Sequence, residues 1–376
     1  MNGETVLQVR DLSVQFDSID GTVHAVNNVS FDLKRGETLG IVGESGSGKS
    51  VSMMSLVRLI AEPPGKITSG SARFITSEGD VDLLSLSRRQ LSRLRGNRIG
   101  FIFQDPMSSL NPLMSVGAQI AESVRKHTEL QGSAAKTRAI ELLEHVGIPA
   151  AKQRYDNYPH QFSGGMRQRV MIAIAIACNP DILIADEPTT ALDVTVQAQI
   201  ADLTNRLSKE LSISVIWISH DLGVVAGLAD RLMVMYGGTV VEYGEVEQVY
   251  AHPRHPYTIG LLGALPKLSK TEERLVNIAG APPSLFSPPT QCPFADRCPW
   301  AFERCENERP ALYDVGGGGR SGVVRSGDAT DGDRSGDGWV DSHLTACFYD
   351  LERNRRRDAD EPVAVRPGAL AHEEQG

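Results

Sequence analysis

No stretch of this chain stays apolar for long enough to cross a bilayer. Its longest run, VMIAIAIAC at residues 170–178, falls well short of the roughly 20 residues a membrane-spanning helix requires. Attachment to a membrane would therefore have to come through a partner. The opening residues, MNGETVLQVRDLSV, lack a basic start followed by an apolar core, so no secretory signal is expected and the cytoplasm is the expected compartment. An excess of positive charge is missing too. The 38 Lys and Arg residues stand against 47 Asp and Glu, for a net charge of −9, which argues against broad contact with nucleic acid phosphates. Cysteine is scarce and unevenly placed. Of the five, Cys178 sits inside the apolar run and reads as a small core residue, while Cys292, Cys298, Cys305 and Cys347 fall late in the chain. In a reducing compartment such a group suggests a metal or cluster site rather than a disulfide framework.

What is present is ordinary for a globular protein: 376 residues, 41% hydrophobic and 23% charged, enough for one large domain with a smaller appendage. Residues 6–33 alternate apolar and polar side chains around Asp20-Gly21, which predicts an antiparallel hairpin with Phe16 near the end of its first strand. Residues 38–42 read as a buried strand. They lead into Gly43-Glu44-Ser45-Gly46-Ser47-Gly48-Lys49-Ser50, and Val51 opens a helical pattern over 51–60. Strand, glycine loop and helix follow in the order that a phosphate loop requires. The glycines let backbone amides turn toward phosphates, Lys49 neutralises them, and Ser50 can ligate magnesium.

A second stretch, HQFSGGMRQRVMIAIAIACNPDILIADEPTTAL at residues 160–192, can also serve a nucleotide. Ser163-Gly164-Gly165 places amides at the start of a predicted helix, where the dipole attracts anions. Residues 182–185 then read as a buried parallel strand that delivers Asp186 and Glu187 to its C-terminal edge, where open α/β sheets bind ligands. An acidic pair so placed suits a metal ion and a water molecule.

Other segments are less decisive alone. Residues 63–84 look polar and turn-rich, 86–98 basic and helical, and 99–103 form an apolar strand ending at Gln104. By itself Gln104 is an ordinary strand-ending polar residue. Residues 116–146 show helical spacing closed by Gly147, and 214–218 a β-branched strand followed by His220, in a position more often structural than catalytic. Residues 233–242 predict a hairpin at Gly237-Gly238, the main domain ends near Tyr250, and 282–289 form a proline-rich linker. The Gly, Ser, Asp and Arg tract at 314–341 cannot bury a core and reads as a disordered insertion.

Taken in order, the phosphate loop, Gln104, Ser163-Gly164-Gly165, Asp186-Glu187, Ala191-Leu192-Asp193 and His220 make the chain resemble the ATP-binding subunits of ABC transporters. The resemblance implies an α/β P-loop NTPase with a RecA-like core, an antiparallel β subdomain and a helical subdomain. On it, residues 1–260 are the nucleotide-binding domain, with the helical subdomain at about 105–165, and 261–376 a C-terminal region. The wording YPHQFSGGMRQRV, FQDPMSSLNPLMSV and His255-Pro256-Tyr257-Thr258 is similar to the dipeptide and oligopeptide import group, which also includes nickel importers. Met166 stands where many ABC proteins have glutamine, a variant familiar in that group.

The resemblance also implies roles. Phe16 stacks on adenine. Gly43, Glu44, Ser45, Gly46, Ser47, Gly48, Lys49, Ser50 and Val51 hold the phosphates, while Ser50, Gln104 and Asp186 serve Mg²⁺ directly or through water. Glu187 polarises the attacking water, His220 contacts the γ-phosphate, and Gln104 reports its presence. Ser163, Gly164, Gly165 and Asp193 act across an interface with a second, identical or homologous ATP-binding subunit. Two transmembrane permease subunits and an extracytoplasmic substrate-binding protein complete the expected assembly at the cytoplasmic face of the membrane, with no nucleic acid partner. Soluble ABC ATPases of DNA repair or translation are rivals, but the long coiled-coil insertion of the former and the second domain of the latter are absent from the sequence. A nonhydrolytic module would not need Lys49, Asp186, Glu187 and His220 intact.

Four thiolates at Cys292, Cys298, Cys305 and Cys347 suit one iron–sulfur cluster and equally one Zn²⁺. Some peptide-importer ATPases carry a [4Fe–4S] cluster in a similar C-terminal region, so the resemblance favours the cluster, while a segment without metal stays open.

Overall fold

The alternating pattern of the first residues folds into long strands, because one face of each can be buried while the other meets water. A computed structural model describes residues 4–190, 192–264, 278–315, 323–324, 342–351 and 355–356. The chain forms two units. One comprises the described parts of Met1–Leu7, Leu33–Gly40 and Phe74–Ser219, the other those of Gln8–Asp32, Ile41–Arg73 and His220–Gly376.

In the second unit, strands Gly21–Lys34, Thr5–Ser18 and Gly65–Thr76 lie side by side in that order. The expected hairpin is present. The third strand occupies a stretch whose polar sequence predicted turns, since most of residues 66–70 face solvent and need no apolar side chains. Another group of strands runs Val323–Val324, Leu312–Asp314, Leu344–Thr345, Thr239–Glu245 and Arg231–Tyr236, followed by Thr38–Val42, which feeds the phosphate loop. The hairpin of residues 231–245 pairs Thr239 with Tyr236 across Gly237 and Gly238, both in the left-handed region that glycine adopts freely. Leu344–Thr345 pairs antiparallel with it, Tyr243 facing Leu344 and Glu242 facing Thr345, so residues after 340 extend the strands of this unit. Residues 316–322 and 325–341 of the expected insertion lie outside the described residues; Val323 and Val324 pair with Tyr313 and Leu312.

The first unit carries a parallel set. Ile99–Ile102 pairs with Ile182–Asp186, and that with Ser214–Ile218, Asp186 standing beside Ile218. All five residues of Ile182–Asp186 and all five of Ser214–Ile218 are buried. Each large aliphatic side chain so buried contributes roughly 1.5–3 kcal/mol relative to exposure. The helical span predicted over 116–146 is two helices, Val116–His127 and Gly132–His145. Ser115 caps the first through Ala118 N, and Gly132, at φ 52, opens the second. Gly117 lies where a Cβ would stand 2.2 Å from the Tyr155 ring, which fixes how closely the first of these helices approaches residue 155. Among the described residues, no helix is long and apolar enough to cross a membrane.

Candidate nucleotide site

The phosphate loop belongs to the second unit. Its tight course rests on close approach as much as on turn formation: a Cβ on Gly43 would lie 2.1 Å from the Met235 carbonyl oxygen, and one on Gly48 would lie 2.5 Å from that of Ala25. Both have positive φ, 151° and 93°. No other residue type combines that conformation with that clearance. Gly48 caps the helix Lys49–Leu56, which starts two residues before the predicted pattern and ends four before it. Its N-terminal amides therefore begin directly at the loop, where an anion is favoured. The Lys49 ammonium is buried and donates to the carbonyl oxygens of Gly43 at 2.7 Å and Glu44 at 3.0 Å, so it lies along the inside of the loop. Ser50 is half-buried at the second helical position and Val51 follows it, while Ser45 and Gly46 are exposed at the tip. Gly238 N donates to the Ser47 carbonyl oxygen, tying the loop to the adjacent hairpin.

Phe16 stands in the strand Thr5–Ser18 and is half-buried. A Cβ on Gly65 would meet its ring at 2.9 Å, so Gly65 leaves the space the ring fills. His220 is exposed, immediately before Asp221, whose carboxylate caps the helix Leu222–Ala226 through Gly223 N and Val224 N.

The first unit holds the acidic half of the predicted set. Asp186 is buried at the end of its strand. Glu187 follows with φ 44°, a conformation that costs a non-glycine residue of order 1 kcal/mol or more and persists only where surroundings enforce it. Its amide donates to Ile218 O at 3.0 Å. Gln104 Nε2 and Thr190 Oγ1 each donate to Glu187 Oε2 at 3.0 Å, which fixes the plane of the carboxylate. The structure thus brings Gln104 and Glu187 together. Thr190 was not singled out by the sequence; its signal was only its place three residues beyond Glu187.

Ser163 is the N-cap of the helix Gly164–Ala175, its hydroxyl accepting from Met166 N at 3.3 Å. It and Gly164 are exposed, and Gly165 is partly so. A Cβ on Gly165 would stand 2.7 Å from Val196 Cγ1, which accounts for the second glycine by packing. Asp193 caps the helix Val194–Leu211 by accepting from Val196 N at 3.0 Å. That gives it a structural task in addition to the predicted intersubunit one. Ala191 lies outside the described residues.

Cys292, Cys298, Cys305 and Cys347 are buried and line one cavity together with His255, Phe294 and Ala295. Burial pushes the Cys292 thiol up to about 12 and the Cys347 thiol well above its ordinary value. His255 is pushed down to about 3 by burial; its Nδ1 accepts from Tyr257 N at 3.1 Å. Among the described residues, no group of three or more His, Cys, Asp or Glu side chains is disposed to hold a metal ion, so this geometry adds support to neither the cluster nor the zinc reading. Cys178, half-buried, has its thiol raised by burial.

One unit has a glycine loop closed over a buried lysine and the other a strand end presenting a buried aspartate with an anchored glutamate, each in the form expected from the resemblance to ABC ATPases. The ABC transporter family model matches residues 26–190, and the model of the oligopeptide/dipeptide transporter C-terminal region matches 241–305. The oligopeptide transport ATP-binding protein OppD of Bacillus subtilis is 52% identical over 311 residues, 82% of this chain and 86% of that one. The dipeptide transport ATP-binding protein DppD of the same organism is 50% identical over 82% of this chain and 90% of its own length. OppD of Escherichia coli is 50% identical, with 82% and 89% covered. Among solved structures, a dimeric ATP-binding cassette in a post-hydrolysis state bound to ADP and Pi matches with a TM-score of 0.56 at 28% identity, over 64% of this chain and 98% of that one. Part of the cbiONQ transporter complex, cbiO1 of Clostridium perfringens, matches with 0.55 at 29%, over 66% and 92%. The chain belongs to the ABC transporter family, among the ATP-binding proteins of its oligopeptide/dipeptide transport group.

Proposed function

We propose that this chain hydrolyses ATP to energise import of dipeptides or oligopeptides, working at the cytoplasmic face of the membrane. The carrying observation is identity at about half of the aligned residues, over four fifths of the chain, with proteins named for oligopeptide and dipeptide transport, together with the matching C-terminal region. Two transmembrane permease subunits, a second ATP-binding subunit of the same or a homologous kind, and an extracytoplasmic substrate-binding protein are its partners on this reading.

Each residue group then has a task. Phe16 stacks on the adenine, since an aromatic face accepts any base. The loop amides of residues 43–51 and Lys49 take the phosphates, the helix dipole of Lys49–Leu56 assisting. Ser50, Asp186 and the Gln104 amide oxygen would hold Mg²⁺, which would offset the phosphate charge. Glu187 accepts a hydrogen bond from the attacking water. With Gln104 and Thr190 both on its Oε2, the other oxygen keeps one direction. His220 holds the water against the γ-phosphate. Because phosphoryl transfer asks mainly for positioning and charge stabilisation, groups from many segments suffice. The exposed Ser163, Gly164 and Gly165, with Asp193, act on the nucleotide of the second ATP-binding subunit.

The cysteine segment carries a [4Fe–4S] cluster on this reading. Four buried thiols in one otherwise mainly apolar cavity match the all-sulfur donor set such a cluster takes, and ligation would remove the protons that burial favours on Cys292 and Cys347.

Uptake of labelled dipeptides and longer peptides, and of Ni²⁺, in a strain lacking the gene and complemented with it tests the substrate class. Restored peptide uptake is expected. Restored Ni²⁺ uptake without peptide uptake would move the chain to the nickel importers.

A further inference from the structure

The phosphate loop is gripped from the cysteine segment. Arg297, immediately before Cys298, forms a two-bond fork with Glu44, the second residue of the loop, with Nη1 on Oε2 at 2.9 Å and Nη2 on Oε1 at 3.1 Å. The remaining donors are also placed: Nη1 reaches Tyr236 Oη at 3.0 Å, Nη2 the Ile278 carbonyl at 3.0 Å and Nε the Ala279 carbonyl at 2.9 Å. All five N–H groups of the guanidinium are thus used, and its side chain is only 6% exposed. Tyr257 holds the same loop residue from its other side, its hydroxyl accepting from Glu44 N at 2.8 Å. Burial pulls the Arg297 pKa down, but the bonds to Glu44 and Tyr236 outweigh it and the net shift is upward.

Arg297 is in turn aimed by the turns between the cysteines. Ala295 N donates to Cys292 O, Arg297 N to Phe294 O, and Cys298 N to Ala295 O, while Cys292 N donates to Cys305 O. Phe294, a wall of the cysteine cavity, packs on Tyr236 and Tyr257 with centroids 5.2 and 5.5 Å apart. The side chains that hold Glu44 and those that line the cavity are one packed group.

We propose that Arg297 is a positioning residue for the ATP site, and that through it nucleotide affinity depends on the state of the cysteine segment. The proposal rests on reading residues 43–51 as the ATP phosphate loop. Physically, Glu44 puts a carboxylate beside a loop that must receive phosphates. Paired, that charge is cancelled and orients the loop; unpaired, it repels the ligand and loses its anchor.

The test is a titration of the full-length protein with fluorescent ATP, compared with KM and kcat in the assembled transporter. Arg297→Gln should weaken nucleotide binding about tenfold and raise KM alike, with kcat changed less than twofold. Glu44→Gln in the Arg297→Gln background should recover binding to within about threefold of the wild type, since it removes the bare charge; a purely structural arginine would give no such rescue. Cys298→Ser should weaken binding in the wild-type background and add little to Arg297→Gln. Lys49→Ala abolishes binding if the loop is the ATP site, so normal binding there would overturn that reading instead. A folded Arg297→Gln protein with wild-type affinity, or a double variant as weak as the single, overturns the proposal. Should Arg297→Gln fail to fold, a folded double variant with near-native affinity supports it and one with tenfold weaker binding contradicts it.

Discussion

Gln104 donates a hydrogen bond to Glu187 across 83 residues of sequence, Nε2 to Oε2 at 3.0 Å. The strand end that closes one side of the acidic edge thereby sets the direction of the carboxylate proposed to polarise water. Removing the charge should separate binding from chemistry. Glu187→Gln is expected to bind ATP with near-native affinity while hydrolysis falls by at least about 10²-fold, the scale of a lost general base. Nucleotide titration and phosphate release on the same preparation check this, and unchanged hydrolysis would reject the assigned role.

Changing the donor should act through Glu187 as well. Gln104→Glu places two carboxylates within hydrogen-bond distance, so one must move or bind a proton. Turnover is expected to drop about tenfold or more with KM for ATP little altered. Steady-state kinetics in the assembled transporter reads both parameters; a changed KM at full kcat would place Gln104 in nucleotide binding alone.

Gly48→Ala meets both the Ala25 carbonyl at 2.5 Å and a φ of 93°. The strain is of order 1–3 kcal/mol, enough to lower the thermal midpoint and deform the loop, so nucleotide binding should be lost. Differential scanning calorimetry with the same nucleotide titration decides it. An alanine protein of native affinity would mean that the loop has more freedom than its contacts suggest.

His255 makes stability depend on pH. Its folded pKa, about 3, lies below the roughly 6.5 of an unfolded histidine. The unfolded chain therefore binds the extra proton first as pH falls. Stability is fully present above about pH 6.5 and declines through the interval down to about 3, by about 1.4 kcal/mol per pH unit at most. His255→Asn keeps an acceptor for the Tyr257 amide but does not titrate, so its unfolding midpoint should fall less steeply between pH 6.5 and 4.5 than that of the wild type. Parallel slopes would show that other groups govern the acid response.

Anaerobic purification tests the cysteine cavity. Iron and sulfide near the stoichiometry of one [4Fe–4S] cluster per chain, with broad visible absorption, are expected, and Cys347→Ser should lose them. A colourless, iron-free and folded wild-type protein would remove the cluster from the account.

Much of this was readable from sequence because local chemistry is loud where backbone must approach phosphate. Gly43, Gly48, Lys49 and Ser50 fall within one eight-residue loop, and the buried strand Ile182–Asp186 announces itself by an uninterrupted apolar run before two acids. Quieter parts depended on distant partners. The strand Gly65–Thr76 buries only three of its twelve residues and carries little apolar signal. Thr190 means nothing until the backbone at Glu187, at φ 44°, turns the carboxylate toward it. Arg297 and Glu44 are separated by 253 residues; each looks like a surface charge in its own segment, and only the packing of Phe294, Tyr236 and Tyr257 brings them together. The extension of the hairpin at residues 231–245 by Leu344–Thr345 was equally hidden, since a two-residue strand has no period to detect.

The central claim is that ATP hydrolysis by this chain drives peptide import. Its most direct test is uptake of a labelled peptide into proteoliposomes holding the permease subunits and both ATP-binding subunits, with substrate-binding protein outside and ATP within. Uptake against a gradient that requires ATP and is abolished by Glu187→Gln in this chain is the expected result. Accumulation that persists undiminished in that variant, or peptide binding that never stimulates ATP hydrolysis, would contradict it.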